Sequence, residues 1–204
     1  MVITERTKLR DMPKILPIAS LAGVDLMEQC KKFGIASSIR GITPMPFYNL
    51  SMNDLAWLWD ITDPNDMLTA IAEVFFYPGL PSWKKKLHKN SEQWATKWIR
   101  SCPVIDFYRY AYEIVEQIKS AAETFSKMQV NLTEDERAAG YGQPDNESVQ
   151  KMIDAFARRQ HISSLEIAAK YPWVNYRFVF QCDVDEQNRQ RRYNEIVAKK
   201  NKKK

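Results

Sequence analysis

The side chains that could support nucleophilic or metal-centred chemistry are few: His88, His161, Cys30, Cys102 and Cys182. The cysteines are far apart and form no Cys-x-x-Cys or Cys/His ligand pattern, so the sequence indicates neither a disulfide framework nor a zinc site. Cys102 and His88 would act as a thiol–imidazole pair only if the fold placed them together, and their spacing gives no sign of that. The sequence also lacks a phosphate-cradling glycine loop. We therefore predict a protein that is not an enzyme and that uses no metal or cofactor.

Two acidic stretches resemble cation sites at first sight. Asp183, Asp185 and Glu186 stand one and two positions apart, so on a helix they point in different directions and are typical of a solvated face. The stretch from Asp63 to Asp66 lacks the glycine and the distal glutamate of an EF-hand loop. Asp followed by Pro is instead typical of a helix start, which makes Asp63 a predicted N-cap.

The net charge of +5 is concentrated at the end of the chain. Residues 199–204 contain five lysines, so residues 1–198 are neutral in sum. Such a tail, with Lys202, Lys203 and Lys204 at its end, either contacts phosphate or an acidic surface, or is a solvated terminus. The amino terminus has no apolar region typical of a signal peptide, and the longest apolar run, around residues 70–80, is too short to span a bilayer. The sequence thus predicts no membrane association, with reduced cysteines in a cytosolic setting.

The hydrophobic periodicity predicts a mainly α fold, an irregular multi-helix bundle. Its clearest helix begins at Pro103 and runs to Met128, about 39 Å in length, and we expect it to be the central strut. Further helices are predicted at Ala22–Phe33, after Ser51, from Asp63 to Phe76 and from Ser91. We divide the chain into an extended arm (1–20), a helical body (21–130), a carboxy-terminal helical module (131–198) and a basic tail (199–204).

The carboxy-terminal module begins with a capping box, Thr133 with Glu136, and Gly140 to Pro144 mark its boundary. A short amphipathic helix over 148–161 follows. Ser163 and Glu166 form a second capping box, and Pro172 restarts a helix that carries a charged ending.

Aromatic residues at helical spacing are the candidate anchors for a protein partner. They are Trp94 and Trp98 in the body and Trp173, Tyr176 and Phe180 in the module. Paired tryptophans on one helix face bury a large area, so these side chains are either core residues or an interface patch. With lysines beside them, stacking on nucleic acid is a further alternative. The sequence does not separate these alternatives.

The segment FARRQHISSLEIAAKYPWVNYRFVF has the rhythm of a helix-turn-helix, which would make Arg158, Arg159 and Arg177 phosphate contacts in a nucleic-acid-binding adaptor. The early residues of its second helix, such as Leu165, Ile167 and Ala168, are poor in groups that read base edges. DNA binding through this module, or through the tail lysines, therefore stands as the alternative function.

The order of TEDERAAGYG, MIDAFARRQHIS, YPWVNYRFVFQ and QRRYNEIVAKKNKKK resembles small helical proteins of tailed bacteriophages, in particular those encoded among tail and head–tail assembly genes. Glu136, Ala139 and Gly140, with residues 191–194, carry the resemblance, which is confined to the carboxy-terminal third. It implies a non-catalytic virion structural or assembly protein, located in the virion or the host cytoplasm. Such a protein would bind other phage structural subunits through apolar helix faces as a homo- or hetero-oligomer.

Overall fold

The computed structural model describes Lys8, Arg10 and residues 33–128, 133–139 and 148–201. Most of the predicted arm, the predicted helix Ala22–Phe33 apart from its last residue, and Lys202 to Lys204 lie outside the described residues. Within the described ranges the chain is mainly helical and has no β-strand, which confirms the predicted fold class.

Nine α-helices lie within these ranges. They are α1 (Met52–Asp60), α2 (Pro64–Ile71), α3 (Ser82–Leu87), α4 (Ser91–Ile99), α5 (Val104–Lys127), α6 (Glu134–Ala138), α7 (Ser148–Arg159), α8 (Leu165–Ala169) and α9 (Trp173–Asn201). A π-helical segment, Ala72–Phe76, continues α2, and 3-10 turns occupy Phe47–Asn49 and Tyr77–Gly79.

The chain forms two compact units. The described part of unit 1 comprises Lys8, Arg10 and residues 33–47 and 57–119, and that of unit 2 comprises residues 48–56, 120–128, 133–139 and 148–201. The predicted module began later, at residue 131, and did not include the segment 48–56. Backbone hydrogen bonds explain the difference, because Met52 N donates to Tyr171 O and Trp173 N donates to Leu50 O, each at 3.0 Å. Such long-range backbone pairing leaves no periodic signal in the sequence.

An aromatic cluster forms the core of unit 1. The Phe76 ring lies 4.7 Å from the Trp98 ring and 4.9 Å from the Tyr110 ring, between centroids, and Trp98 also meets Phe107 edge-on at 5.8 Å. Aromatic pairs of this kind add about 0.5–1.5 kcal/mol each beyond the area that they bury. The cluster fixes the π-helical segment, α4 and the first half of α5 against one another.

Local signals account for several helix ends in unit 1. Asp63 Oδ1 accepts from Asn65 N at 2.7 Å and from Asp66 N at 3.2 Å, which confirms the predicted cap of α2. Helix α4 is capped by Asn90, one residue before the predicted start. Helix α3 was not predicted, because none of its residues is buried and its sequence therefore shows no apolar periodicity.

The core of unit 2 gathers around Tyr176. Its ring stacks on Phe156 with centroids 3.9 Å apart and planes 17° apart, and its hydroxyl donates to Ala168 O at 2.7 Å. The buried residues of α7, Ile153, Phe156 and Ala157, lie three and four positions apart on one side, as expected of the predicted amphipathic helix. The capping box of Thr133 with Glu136 is confirmed. The cap of α8 is Ser164, whereas the sequence predicted Ser163.

We expect Gly79→Ala to destabilise the protein because unit 1 leaves no room for a side chain there. A Cβ at Gly79 would lie 2.8 Å from the backbone oxygen of Thr43 and 3.0 Å from Ile42 Cγ2. The expected loss in the free energy of unfolding is about 1–3 kcal/mol, measured by urea denaturation. Gly34→Ala is the matched control, since nothing lies within 4 Å of its Cβ position. Equal stability of the two variants would contradict the close approach.

Candidate functional site

Four of the five predicted aromatic anchors pack internally. Trp94 and Trp98 are each 7% exposed, Trp173 is 7% exposed and Tyr176 is fully buried. Their apolar surface is covered within their own units, so these four side chains follow the core alternative of those that the sequence left open. Phe180 is half-buried, with its ring 6.3 Å from that of Tyr176. The first two tryptophans still reach a cleft surface, as described below.

The three arginines predicted to contact nucleic acid do not form a basic surface, and Lys202, Lys203 and Lys204 lie outside the described residues. Arg158 pairs with Asp154 at 2.6 Å, Arg159 pairs with Asp183 at 2.9 Å, and Arg177 is exposed. Helix α8, in the place of a recognition helix, has only five residues and exposes the apolar side chains of Leu165 and Ile167. This geometry does not favour base reading by the carboxy-terminal module.

The thiol of Cys102 is a core group. Burial raises the pKa of Cys102 to about 12, although the nearby Arg40 acts in the opposite direction. The Sγ atom donates to Trp98 O at 3.4 Å, whereas His88 is exposed. The thiol therefore stays protonated at neutral pH and is a poor nucleophile.

The described residues form neither a metal-binding cluster nor a helix that could span a membrane. None of their His, Cys, Asp and Glu side chains gather in threes around a point where a metal ion could bind. None of the helices within the described ranges combines the length and the apolar character needed to cross a membrane.

A cleft lined by cationic side chains lies in the described part of unit 1 and is here called the basic cleft. It has a volume of about 550 Å³ and lies between the end of α3, the loop 88–90, the face of α4 and the turn at Arg40. Its lining includes four cationic side chains and two indoles: Arg40, Lys86, Lys89, Lys97, Trp94 and Trp98. No carboxylate is among the described residues that line it. The cleft is therefore suited to an anion.

Hydrogen bonds hold the walls of the basic cleft. The Tyr77 hydroxyl donates to His88 O at 2.7 Å, and Lys85 Nζ donates to Pro78 O at 2.7 Å. Asn90 Oδ1 accepts from Gln93 N at 2.8 Å and so caps α4 at the cleft wall. The loop that carries Lys89 is thus fixed at both ends.

Arg40 stands at the tip of a tight turn. The backbone N–H groups of Ile39 and Ile42 each donate to the other residue's carbonyl at 3.0 Å, and φ is 51° at Arg40 and 72° at Gly41. Two positive φ values between paired residues define a type I′ turn, which favours Asn, Asp or Gly at both central positions. An arginine there is uncommon. Its guanidinium donates to the Ser101 hydroxyl at the cleft.

The whole-chain charge concealed the basic cleft from sequence analysis. Residues 82–101 contain six Lys and Arg and a single carboxylate, Glu92, although residues 1–198 are neutral in sum. A neutral sum over residues 1–198 thus hides a locally basic segment. A local charge count would have found the segment, but not the contribution of Arg40, which is distant in sequence.

A second candidate surface is the later part of α9, residues 181–201, here called the distal helix. The buried residues of α9 are Trp173 and Tyr176, both near its start. Exposed apolar side chains include Tyr193, Ile196 and Val197. The distal helix carries its acidic residues mainly at the start and its basic residues mainly at the end.

One ion pair fastens the distal helix to α6. Arg191 donates from both terminal nitrogens to the two carboxylate oxygens of Glu136, at 2.7 and 2.8 Å. The hydrogen bond from Arg191, with those from the Thr133 backbone and hydroxyl, lowers the pKa of Glu136 to about 2. A bidentate pair of this geometry fixes the direction of both side chains.

Comparison of the chain with protein-family models, with curated proteins and with solved structures finds no match.

The depressed pKa of Glu136 predicts a pH dependence of stability. The contribution of this carboxylate to the free energy of unfolding is complete above its pKa in the unfolded chain, about 4.5. The contribution is lost as the pH falls towards 2. We expect Glu136→Gln to remove that part of the acid sensitivity and to leave the pH profile near neutrality flat. Urea unfolding of the parent protein and of the variant between pH 2 and 7 measures how the free energy of unfolding depends on pH. Glu134→Gln is the control, and identical acid profiles for Glu136→Gln and the parent protein would contradict the pairing.

Proposed function

We propose that this chain is a non-catalytic structural or assembly protein of the tailed-phage type, and that it self-associates through its distal helix. The supporting observation is that α9, at 29 residues and about 43 Å, continues for 25 residues beyond Tyr176, its last buried residue. Helical stability in proteins comes mostly from packing, so a long, largely polar helix gains stability when a second surface covers it.

The charge order of the distal helix favours a second copy of the chain as that surface. Asp185 and Glu186 lie near its start, whereas Lys199 and Lys200 lie near its end. An antiparallel pair centred near Arg192 brings Asp185 of one copy opposite Lys199 of the other. A parallel pair would instead align acid with acid and base with base, which is destabilising.

Exposed apolar residues lie close to the centre of such a pair. Tyr193, Ile196 and Val197 are three and four positions apart, so they share one side of the helix. In the antiparallel arrangement the two copies of Tyr193 meet near the axis, and the charged residues flank them. One distal helix from each copy is enough to form this contact.

The phage assignment rests on the resemblance of the carboxy-terminal third, and the mechanism rests on the distal helix. Capsid and tail components act by repeated subunit contacts, and a projecting charged helix serves such a contact without any active site. Co-purification with products of adjacent genes tests the assignment. A chain that is monomeric at tens of micromolar and binds none of those products would overturn it.

Charge reversal tests the pairing. We expect Lys199→Glu with Lys200→Glu to weaken dimerisation about tenfold or more, because attraction becomes repulsion at both ends of the symmetric pair. Adding Asp185→Lys and Glu186→Lys should restore dimerisation, because the acidic and the basic ends of the distal helix are then exchanged and attract each other again. Sedimentation velocity measures the dimer fraction, and circular dichroism verifies the helix content.

Lys119→Glu with Lys127→Glu is the matched control for this charge change, since both lysines are exposed and lie outside α9. Failure of the fourfold variant to recover the dimer would contradict antiparallel pairing.

A further inference from the structure

We propose that the basic cleft binds the phosphodiester backbone of a single-stranded nucleic acid. This site is separate from the distal helix and does not depend on the proposed function. Three independent features of unit 1 support it: unpaired cations, indole donors without acceptors, and a conformationally disfavoured arginine.

The first feature is the charge. Lys86, Lys89 and Lys97 line one concavity, and within the described part of the chain none of them forms an ion pair. Positive charges gathered around a recess repel one another, and the low-dielectric walls focus their field into it. A string of phosphates relieves this repulsion and releases condensed counterions, which is the main source of nucleic-acid affinity.

The second feature is the pair of indoles that line the cleft. Trp94 and Trp98 stack with centroids 5.2 Å apart, and neither indole N–H donates to any acceptor among the described residues. Buried tryptophans usually find an acceptor for this group. No described side-chain nitrogen is both sealed from solvent and unpartnered, so these two N–H groups keep access to solvent. They are therefore available to donate to a ligand oxygen.

The third feature is Arg40. Arg40 has a positive φ, a backbone conformation that Gly, Asn and Asp adopt more readily than other residues and that costs stability elsewhere. Strained positions of this kind concentrate at functional sites. The hydrogen bond to Ser101 directs the guanidinium to the cleft. A planar guanidinium with several donors is the group best suited to phosphate oxygens.

Trp83 favours a nucleic acid over an acidic protein surface. It is 61% exposed, with Lys84 Nζ 5.3 Å from the ring centroid. Three and four residues later in α3 stand Lys86 and Leu87, which line the cleft, so Trp83 lies on the same side of that helix. An exposed aromatic beside a cationic groove is how single-strand binders stack bases while holding the backbone. A duplex offers no unstacked base to this ring.

The central experiment is fluorescence anisotropy of the full chain with a labelled oligothymidylate, titrated at several salt concentrations. We expect Lys86→Gln with Lys89→Gln and Lys97→Gln to weaken binding at least tenfold at low salt. The slope of log affinity against log salt should fall by about 2, since each phosphate contact on a single strand contributes about 0.7.

The matched control is Lys119→Gln with Lys127→Gln and Lys170→Gln, which gives the same net charge and leaves the cleft intact. Equal loss in both triple variants would overturn the proposal, because it would show a non-specific charge effect. Deleting residues 199–204 should leave most of the affinity. If that deletion abolishes binding while the cleft variant retains it, the tail is the site and the proposal fails.

Two further probes separate the ligand classes. Trp83→Ala should weaken oligothymidylate binding about fivefold or more but leave inorganic polyphosphate binding unchanged, since polyphosphate has no bases. Trp57→Ala, at another exposed tryptophan, is the control. Tighter binding of polyglutamate or of a duplex than of the single strand would overturn the proposal in favour of that ligand.

Arg40→Asn distinguishes a functional from a structural role. Asn adopts positive φ more readily than Arg, so we expect the variant to unfold at an equal or higher urea concentration. Its affinity for oligothymidylate should nevertheless fall several-fold. Unchanged affinity, or a loss of stability together with affinity, would show that Arg40 serves the turn and not a ligand.

Discussion

The packing of Phe76 against Trp98 and Tyr110 is the contact on which unit 1 depends. It joins the π-helical segment to α4 and α5. Its three side chains are large, and in a close-packed core small shifts of their neighbours could not fill the space that the loss of one ring would leave. The same packing places Trp98, with Trp94 stacked on it, along the wall of the basic cleft. Core and candidate site therefore share residues, since the apolar bodies of the indoles are buried while their polar edges keep access to solvent. That arrangement makes the cleft wall as rigid as the core behind it.

In unit 2 the main contacts are those that hold the long helix α9. The stack of Tyr176 on Phe156 and the hydrogen bond from Tyr176 to Ala168 secure the beginning of α9, and the pair of Arg191 with Glu136 holds it further along. Beyond Arg191 the described residues of the helix are exposed. The two units thus present different kinds of surface, a recessed cationic one in unit 1 and a helix with separated charges in unit 2.

The sequence was sufficient for the mainly α class, for α5 and for the caps at Asp63 and Thr133, because these depend on periodicity and on groups three or four residues apart. It was insufficient where distant segments meet. The inclusion of residues 48–56 in unit 2 depends on backbone bonds to residues 171 and 173. The aromatic anchors were ambiguous for the same reason, since spacing places Trp94 and Trp98 on one face but does not reveal what covers it. The cleft required Arg40 to approach Ser101 across 61 positions.

The π-helical segment Ala72–Phe76 has a consequence for how the sequence can change. A π turn holds one more residue than an α turn, so it is equivalent to a single-residue insertion in an otherwise regular helix. Deletion of one residue within this segment would convert the π turn to an α turn and leave the side chains that follow nearly in place. A deletion in the regular part of α2 would instead rotate every later side chain by about 100° relative to those before it. Phe75 and Phe76 would then leave their buried positions together. The π turn is therefore the one place in this helix where the loss of a residue preserves the orientation of the buried rings.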